Sequence, residues 1–212
     1  KRSFIAVNGS LLAARSALQY GVSCHLAGGT HHSHFDFGSG FCVFNDLAFT
    51  ALTLTKTKEV KNILIFDCDV HQGDGTARIL ETNDKTFTCS IHSSKNFPYR
   101  KANSDLDIGL EDNMSWFEYK KHLLEGLNKC IERFSPDLVL YVAGVDIHTK
   151  DKLGRLSIDD EGLFEREMIV LNFFKKRDIP IATVMGGGYS DDKYELAYRH
   201  STVVKAAHQI WA

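Results

Sequence analysis

The sequence predicts an α/β fold of three layers, α/β/α, with helices on both faces of a mainly parallel central sheet. Short apolar runs rich in β-branched residues alternate along the chain with longer amphipathic segments. This alternation is typical of a parallel sheet covered on both faces. Proline occurs only three times, and we find no internal repeat, linker or low-complexity segment. We therefore expect one domain over residues 1–212.

Each predicted element has its own local signal. Strands are predicted where short β-branched runs are bounded by polar residues, glycine or proline, over residues 22–26, 62–66, 86–91, 138–143 and 181–185. Helices are predicted where the apolar pattern is longer and amphipathic, over about residues 10–20, 45–55, 75–81, 116–134, 160–176 and 192–211. Ser115 and Asp159 stand directly before two of these helices, and both residue types are typical N-caps.

The composition excludes several classes of protein. With 43% hydrophobic and 25% charged residues, a chain of 212 residues can bury a sizeable core. Lys plus Arg number 25 against 27 for Asp plus Glu, so the net charge of −2 favours neither direct nucleic-acid binding nor attraction to a membrane surface. The longest apolar stretch, residues 138–145, is too short to span a bilayer.

The cysteines and the first residues bear on cellular location. The five cysteines are widely spaced and form no CxxC pair, so we expect reduced thiols and a cytoplasmic protein, or a nuclear one in a eukaryote. The opening KRSFIAVNGS has no apolar core and no small-residue cleavage site, so we expect no signal peptide. Nothing in the sequence indicates an oligomeric state.

Polar residues follow four of the predicted strands at the point where each strand ends. His31 and His32 follow the first strand, residues 67–74 the second, Asp146 the fourth and residues 186–189 the fifth. Ligands of parallel sheets bind beyond the carboxyl ends of the strands. We therefore expect the functional site at this edge of the sheet.

The densest polar cluster is the pattern DxDxHxxD at residues 67–74. Residues two apart in an extended segment face the same way, so Asp69 and His71 can meet one ion. Carboxylate oxygen and imidazole nitrogen suit zinc, and also Fe²⁺, Mn²⁺ or Co²⁺. Asp146 is the candidate third ligand, because an unpaired carboxylate at the end of an apolar strand is costly to bury. The alternative is that Asp69 and His71 only cap the strand end.

Two adjacent histidines provide candidate acid–base groups. A neutral imidazole accepts a proton and an imidazolium donates one, so His31 and His32 suit the hydrolysis of an acyl bond. Asp67 and Asp74 flank the candidate ligands and can orient these two rings. The alternative is that both are loop histidines bonded to backbone. Three further histidines are expected to be structural or to lie at the rim of the site: His34, His92 and His148.

Tyr189 follows three glycines, residues 186–188, which allow the backbone to pass close to a ligand. Its hydroxyl is a candidate donor to an oxyanion formed on a carbonyl. The rival interpretation of such a turn is phosphate binding, but neither GxGxxG nor GxxxxGK[ST] occurs in the chain. Phe41 and Phe97 lie in glycine- and proline-containing loops, where they can wall an apolar tunnel or belong to the core.

With these residues assembled, the chain resembles the histone deacetylase superfamily of zinc amidohydrolases. The resemblance is carried, in family order from about residue 22 to residue 191, by GGTHHSHFDFGSGFCVFND, ILIFDCDVHQGDGTA, TCSIH, DLVLYVAGVD with DKLGRLS, and VMGGGYS. AGGTHH is most similar to the class IV branch and its bacterial relatives. The resemblance implies an arginase/deacetylase-like fold with a tunnel to zinc, or to Fe²⁺ in vivo. The implied reaction removes the acyl group from acyl-lysine in a peptide, or from a small N-acyl amine.

The resemblance also implies a role for each matching residue. The zinc ligands would be Asp69, His71 and Asp146. The catalytic histidines would be His31 with Asp67 behind it and His32 with Asp74 behind it, and Tyr189 would polarise the acyl carbonyl. The residues expected to bind substrate along the tunnel are Gly40, Phe41, Phe97 and Gly187. Asp67 and Ser90 match positions where many relatives bind a structural K⁺.

The chain also departs from the family pattern. Ile147 and His148 follow Asp146 where relatives often have Pro-Leu or Ile-Leu, so we expect a different pocket floor or rim. Family chains carry a long segment before the first matching block, and we expect this chain to lack that N-terminal part of the family fold. Stability and substrate capture would be affected.

Two other functions are rivals to amide hydrolysis. A binuclear manganese ureohydrolase on the same fold would need a second set of acidic ligands and a DAHxD-type motif, and neither occurs here. A catalytically impaired acyl-lysine-binding or scaffold protein is expected to have lost a ligand, a histidine or Tyr189. All of these positions are present. The sequence leaves open the length of the acyl chain and which histidine acts as base.

Overall fold

Strands and helices alternate along residues 1–212, all of which are described by the computed structural model. The strands are β1 (Val22–Cys24), β2 (Ile63–Asp67), β3 (Thr86–Ser93), β4 (Leu106–Leu110), β5 (Leu138–Val142) and β6 (Ile181–Val184). The helices are α1 (Arg2–Tyr20), α2 (Asp46–Lys56), α3 (Asp74–Leu80), α4 (Trp116–Arg133), α5 (Asp160–Lys175) and α6 (Lys193–Trp211). None of them combines the length and the apolarity that a bilayer-crossing helix needs.

The six strands form one sheet in the order β1-β6-β5-β2-β3-β4, and every neighbouring pair is parallel. The expected α/β architecture is therefore confirmed, with a sheet that is parallel throughout. In the register of the central strands, Asp67 of β2 stands beside Ser90 of β3 and Val142 of β5. The strands consequently end at a common edge, where the polar loops begin.

Both faces of the sheet are covered by helices. Ile63 and Ile65 of β2 pack in one buried cluster with apolar residues of α1 and α2. Leu64 and Phe66 point to the other face and pack with residues of α4, α5 and α6. Successive side chains of a strand point to opposite faces, so a strand buried on both sides is apolar at every position. This explains the uninterrupted apolar run before Asp67.

Two of the larger helices begin at the residues that the sequence indicated. Ser115 caps α4 in a capping box, in which Glu118 Oε2 accepts from Ser115 N at 3.1 Å. Asp159 caps α5, where its Oδ1 accepts from Gly162 N at 2.8 Å. Both N-cap predictions are confirmed.

Two elements differ from the sequence-based prediction. Strand β4 was not predicted, because it lies at the edge of the sheet, alternates in exposure and contains Asp107 and Gly109, which are uncommon in strands. Helix α1 begins at Arg2, not at about residue 10. Gly9 lies inside this helix, and the His25 ring packs against it. A Cβ at Gly9 would lie 2.3 Å from His25 Cε1.

Candidate active site

Three candidate metal ligands come together beyond the carboxyl ends of β2 and β5. The ligand atoms of Asp69, His71 and Asp146 all lie within 4.8 Å of one another, and all three residues are buried. His71 Nδ1 lies 3.0 Å from Asp69 Oδ1 and 3.1 Å from Asp146 Oδ2. The site therefore presents two carboxylate oxygens and one imidazole nitrogen to a single point.

The electrostatics of this cluster fit a divalent cation. Burial and the neighbouring Asp69 carboxylate raise the pKa of Asp146 to about 7. Burial opposes a charged ring at His71, but hydrogen bonds to Asp146 and Asp69 outweigh it and raise the pKa of His71 to about 10. A positive charge between the two carboxylates would therefore be stabilised. Carboxylate oxygen and imidazole nitrogen together form a donor set that suits zinc.

Backbone amides fix the two carboxylates in place. Gly187 N donates to Asp69 Oδ2 at 2.6 Å, and Val70 N donates to Asp146 Oδ1 at 2.9 Å. Gly187 must be glycine, since a Cβ there would lie 2.1 Å from Asp146 Oδ2. The structure therefore places Gly187 directly against two candidate ligands, and its role in substrate binding stays a prediction.

The two histidines after β1 each bond to a separate carboxylate. His31 Nδ1 lies 2.6 Å from Asp67 Oδ2, and His32 Nδ1 lies 2.7 Å from Asp74 Oδ1. The two ring centroids are 4.1 Å apart. In both rings Nδ1 is occupied by a carboxylate, so Nε2 is the nitrogen left for a substrate or a water.

The two rings differ in charge preference. Burial opposes a charged ring at His31, but Asp67 and Asp69 outweigh it and raise the pKa of His31 to about 9. Burial, together with repulsion from His31, lowers the pKa of His32 to about 4. Groups whose pKa values are pushed apart in one site are typical of an acid and a base that work together.

Aromatic side chains surround the polar groups. The Tyr189 ring centroid lies 6.3 Å from that of His71 and 6.2 Å from that of Phe41. Phe97 lies edge-on to His32, with centroids 4.9 Å apart. Phe41 is 86% exposed, so it is not a core residue. The cluster is thus bordered by three aromatic rings.

The backbone around these rings is shaped by close contacts. Gly40 has φ +50°, and a Cβ there would lie 2.3 Å from His32 Cδ2. Tyr189 N donates to Asp151 Oδ2 at 2.6 Å. Burial and the Asp69 and Asp146 carboxylates raise the pKa of the Tyr189 hydroxyl well above its usual value. The hydroxyl therefore keeps its proton and can donate it in a hydrogen bond.

The two residues that match a K⁺ site lie side by side on β2 and β3. Asp67 Oδ1 accepts from Asp69 N at 3.0 Å, and Ser90 Oγ bonds to His92 Nδ1 at 2.9 Å. Each group has a protein partner, and the K⁺ site stays a prediction.

The sequence did not predict one of the histidine contacts at the site. His34 was expected to be structural or to lie at the rim, but its Nε2 lies 3.2 Å from Asp74 Oδ2, so one carboxylate serves both His32 and His34. His34 also stacks on Phe37, with ring centroids 4.3 Å apart. The only sequence signal was the spacing of two residues from His32.

Known proteins resemble this chain in sequence. Residues 1–205 match the model of the histone deacetylase domain. An uncharacterised protein of Picosynechococcus sp. is 43% identical over 211 residues, which is 100% of this chain and 70% of the relative. Histone deacetylase 2 of Arabidopsis thaliana is 31% identical over 186 residues, which is 86% of this chain and 48% of the relative.

The fold has counterparts among solved structures. An HDAC homologue complexed with SAHA superposes with a TM-score of 0.80 at 23% sequence identity. The superposition covers 99% of this chain and 56% of that chain. At this level of identity the likeness shows the fold alone. The chain thus spans about half the length of the plant relative and of the solved homologue.

Proposed function

The chain belongs to the histone deacetylase family, whose members are hydrolases that act on amides, and from that premise we propose that it is a zinc-dependent amidohydrolase. Its substrate is acyl-lysine in a peptide or a related small N-acyl amine, from which it removes the acyl group. One observation carries the proposal: the buried cluster of Asp69, His71 and Asp146 lies beside two histidine–carboxylate pairs. His31 Nε2 is 3.8 Å from Asp69 Oδ1, and the ring centroids of His32 and His71 are 5.9 Å apart.

The cluster of Asp69, His71 and Asp146 would hold the metal ion. When bound, zinc supplies Lewis acidity that polarises the acyl carbonyl and acidifies water. Only one group of three or more His, Cys, Asp and Glu side chains in the chain has ligand atoms close enough for an ion. This supports a mononuclear site and argues against a binuclear ureohydrolase.

The paired histidines move the protons. Because Asp67 and Asp74 hold the two Nδ1 atoms, protons are exchanged at Nε2 of His31 and His32. One imidazole takes a proton from the attacking water, and an imidazolium returns a proton to the nitrogen of the leaving amine. The opposite pKa shifts of the two rings support this division of labour.

Tyr189 and the aromatic rings act on the substrate. The Tyr189 hydroxyl donates a hydrogen bond to the carbonyl oxygen as negative charge develops on it. Phe97 lies against His32 and Phe41 lies near Tyr189, and both rings would exclude water around the acyl-lysine stem. Gly40 lets the backbone approach His32 closely.

The test is hydrolysis of a substrate panel by the protein reconstituted with zinc. The panel contains peptides with acetyl-, octanoyl- and myristoyl-lysine together with an acetylated polyamine. We expect turnover that is abolished by a chelator and restored by one equivalent of zinc, and the preferred acyl length reports the depth of the tunnel. Stoichiometric zinc binding without turnover of any substrate would contradict the proposal and favour an acyl-lysine-binding protein.

A further inference from the structure

Arg166, on α5, is the largest side chain that is fully buried. Its Nη1 donates to the carbonyl oxygen of Gly144 at 2.7 Å and to that of Cys68 at 3.2 Å. Both hydrogens of this nitrogen are therefore used on backbone carbonyls from two different loops. Nothing in the local sequence of the helix indicates this contact.

The two carbonyls lie where β2 and β5 separate. Cys68 N donates to Val142 O at 3.1 Å, which is the last backbone hydrogen bond between the two strands. Cys68 immediately precedes Asp69, and Gly144 lies two residues before Asp146. Arg166 thus joins the backbones that follow β2 and β5, next to the candidate metal ligands and beyond the last hydrogen bond between the two strands.

The backbones also touch at this point. A Cβ on Gly144 would lie 2.6 Å from Asp69 Oδ2 and 2.8 Å from Asp69 Cα. A small change in the spacing of the two segments would therefore move one ligand against the other. Metal affinity depends steeply on such spacing, because the groups that orient ligands matter nearly as much as the ligands.

The counter-ion of Arg166 is equally buried. Glu167 Oε1 accepts from Arg166 Nη2 at 2.5 Å, and Glu167 Oε2 accepts from the Tyr141 hydroxyl at 2.7 Å. A fully buried ion pair contributes little net stability, and well-packed apolar residues often do as well or better. The pair therefore needs an explanation other than stability, and the two carbonyls supply one.

We propose that Arg166 is a positioning residue of the metal site, which sets the separation of Asp69 and Asp146 by holding the carbonyls of Cys68 and Gly144. This inference rests on the proposed function, since it requires the cluster to bind a divalent transition metal. Glu167 balances the charge so that the guanidinium can stay buried.

The test uses Co²⁺ as the probe, because its visible absorption reports both occupancy and coordination geometry. The dissociation constant, the spectrum and the thermal midpoint are measured for the wild type, Arg166→Lys and the control Phe174→Leu. An ammonium group keeps the charge but lacks the planar fork that serves Glu167 and two carbonyls together. Phe174 is also fully buried on α5, so the control reports general destabilisation.

We expect Arg166→Lys to bind Co²⁺ about 10- to 100-fold more weakly and with an altered spectrum. Phe174→Leu should lose thermal stability but keep the wild-type dissociation constant and spectrum. If Arg166→Lys does not fold, a second variant carries the test: the triple replacement Arg166→Met, Glu167→Leu and Tyr141→Phe. It removes both charges and the hydroxyl together, so no unpaired charge stays buried, and it should also bind Co²⁺ more weakly.

Either folded variant binding Co²⁺ with the wild-type constant and spectrum would overturn the inference and leave Arg166 a structural residue. That result is distinguishable from failure of the proposed function. A wild-type protein that binds no Co²⁺ would overturn the proposed function and this inference together.

Discussion

The cluster of Asp69, His71 and Asp146 at the carboxyl edge of the sheet is as buried as the two helix-covered faces, but burial acts differently on stability in the two regions. Leu64 and Ile65 lie on opposite faces, and removing their apolar surface from water favours folding. At the edge, Asp69 and Asp146 are buried charges, which cost free energy unless partners compensate them. The apolar faces therefore stabilise the fold, and the edge uses part of that stability to hold reactive groups close together.

The two regions should respond differently to substitution. A change at the edge should remove function and leave stability nearly intact, whereas a change on an apolar face should do the reverse. Active sites commonly trade stability for reactivity in this way.

Asp146→Asn should abolish zinc-dependent turnover. The substitution removes a ligand, so zinc should bind at least about 100-fold more weakly. The thermal midpoint measured in a chelator should not fall, because the repulsion between Asp146 and Asp69 is relieved. Calorimetric zinc titration and thermal unfolding check both points. The control is Asp84→Asn at an exposed position, and a large loss of stability in Asp146→Asn alone would contradict the comparison.

Tyr189→Phe should lower kcat by roughly 100- to 1,000-fold, the usual cost of losing one oxyanion donor. Zinc affinity and stability should stay unchanged, because Tyr189 is not part of the metal cluster. Steady-state kinetics with an acyl-lysine peptide and a zinc titration provide the measurement. Tyr194→Phe, at a position 89% exposed, is the matched control. Near-normal kcat in Tyr189→Phe would exclude the proposed role.

Leu64→Ala tests the opposite region. Truncating this fully buried side chain should lower the free energy of unfolding by about 2–5 kcal/mol, as measured by urea denaturation. Zinc affinity of the folded fraction should remain that of the wild type. Leu12→Ala, at a position 66% exposed, should change stability by less than about 0.5 kcal/mol. A large loss of zinc affinity in Leu64→Ala would show that packing on the apolar face also determines metal binding at the carboxyl edge.

The smallest expected effect is a dependence of stability on pH. Burial and repulsion from Arg166 lower the pKa of His200 to about 4, whereas an unfolded chain protonates histidine near pH 6.5. Between these values the unfolded state binds more protons, so stability falls as the pH falls. His200→Gln should reduce that loss by up to about 3 kcal/mol at pH 4. An unchanged pH dependence of the urea midpoint would contradict the assignment.

The apolar pattern predicted much of the fold for a clear physical reason. Strands buried on both faces, such as β2 and β5, are apolar at nearly every position, and each is followed within a few residues by a candidate site residue. Strand β4, at the side of the sheet, was not predicted because one of its faces is exposed, so its sequence contains no comparable run of apolar residues. The predicted start of α1 at about residue 10 was too late, since the contact of Gly9 with His25 inside the helix depends on tertiary structure.

The candidate site followed from a topological rule more than from any single motif. Parallel strands end at one edge, so the residues after β1, β2, β5 and β6 could be expected to meet before their distances were known. The contacts of His34 with Asp74 and of Arg166 with two loop carbonyls could not be expected. Both depend on which side chains the packing brings together. His34 lies within the segment GGTHHSHFDFGSGFCVFND, but that segment does not specify its partner.

We propose that one metal ion in the Asp69, His71 and Asp146 cluster supports acyl-amide hydrolysis. The most direct test is the rate of acyl-lysine hydrolysis by the chelator-stripped protein as zinc is added in fractions of an equivalent. We expect a rate that rises linearly to one equivalent and then stays level, with Asp146→Asn inactive throughout. A rate that needs two equivalents, or no rate once zinc is bound, would contradict it.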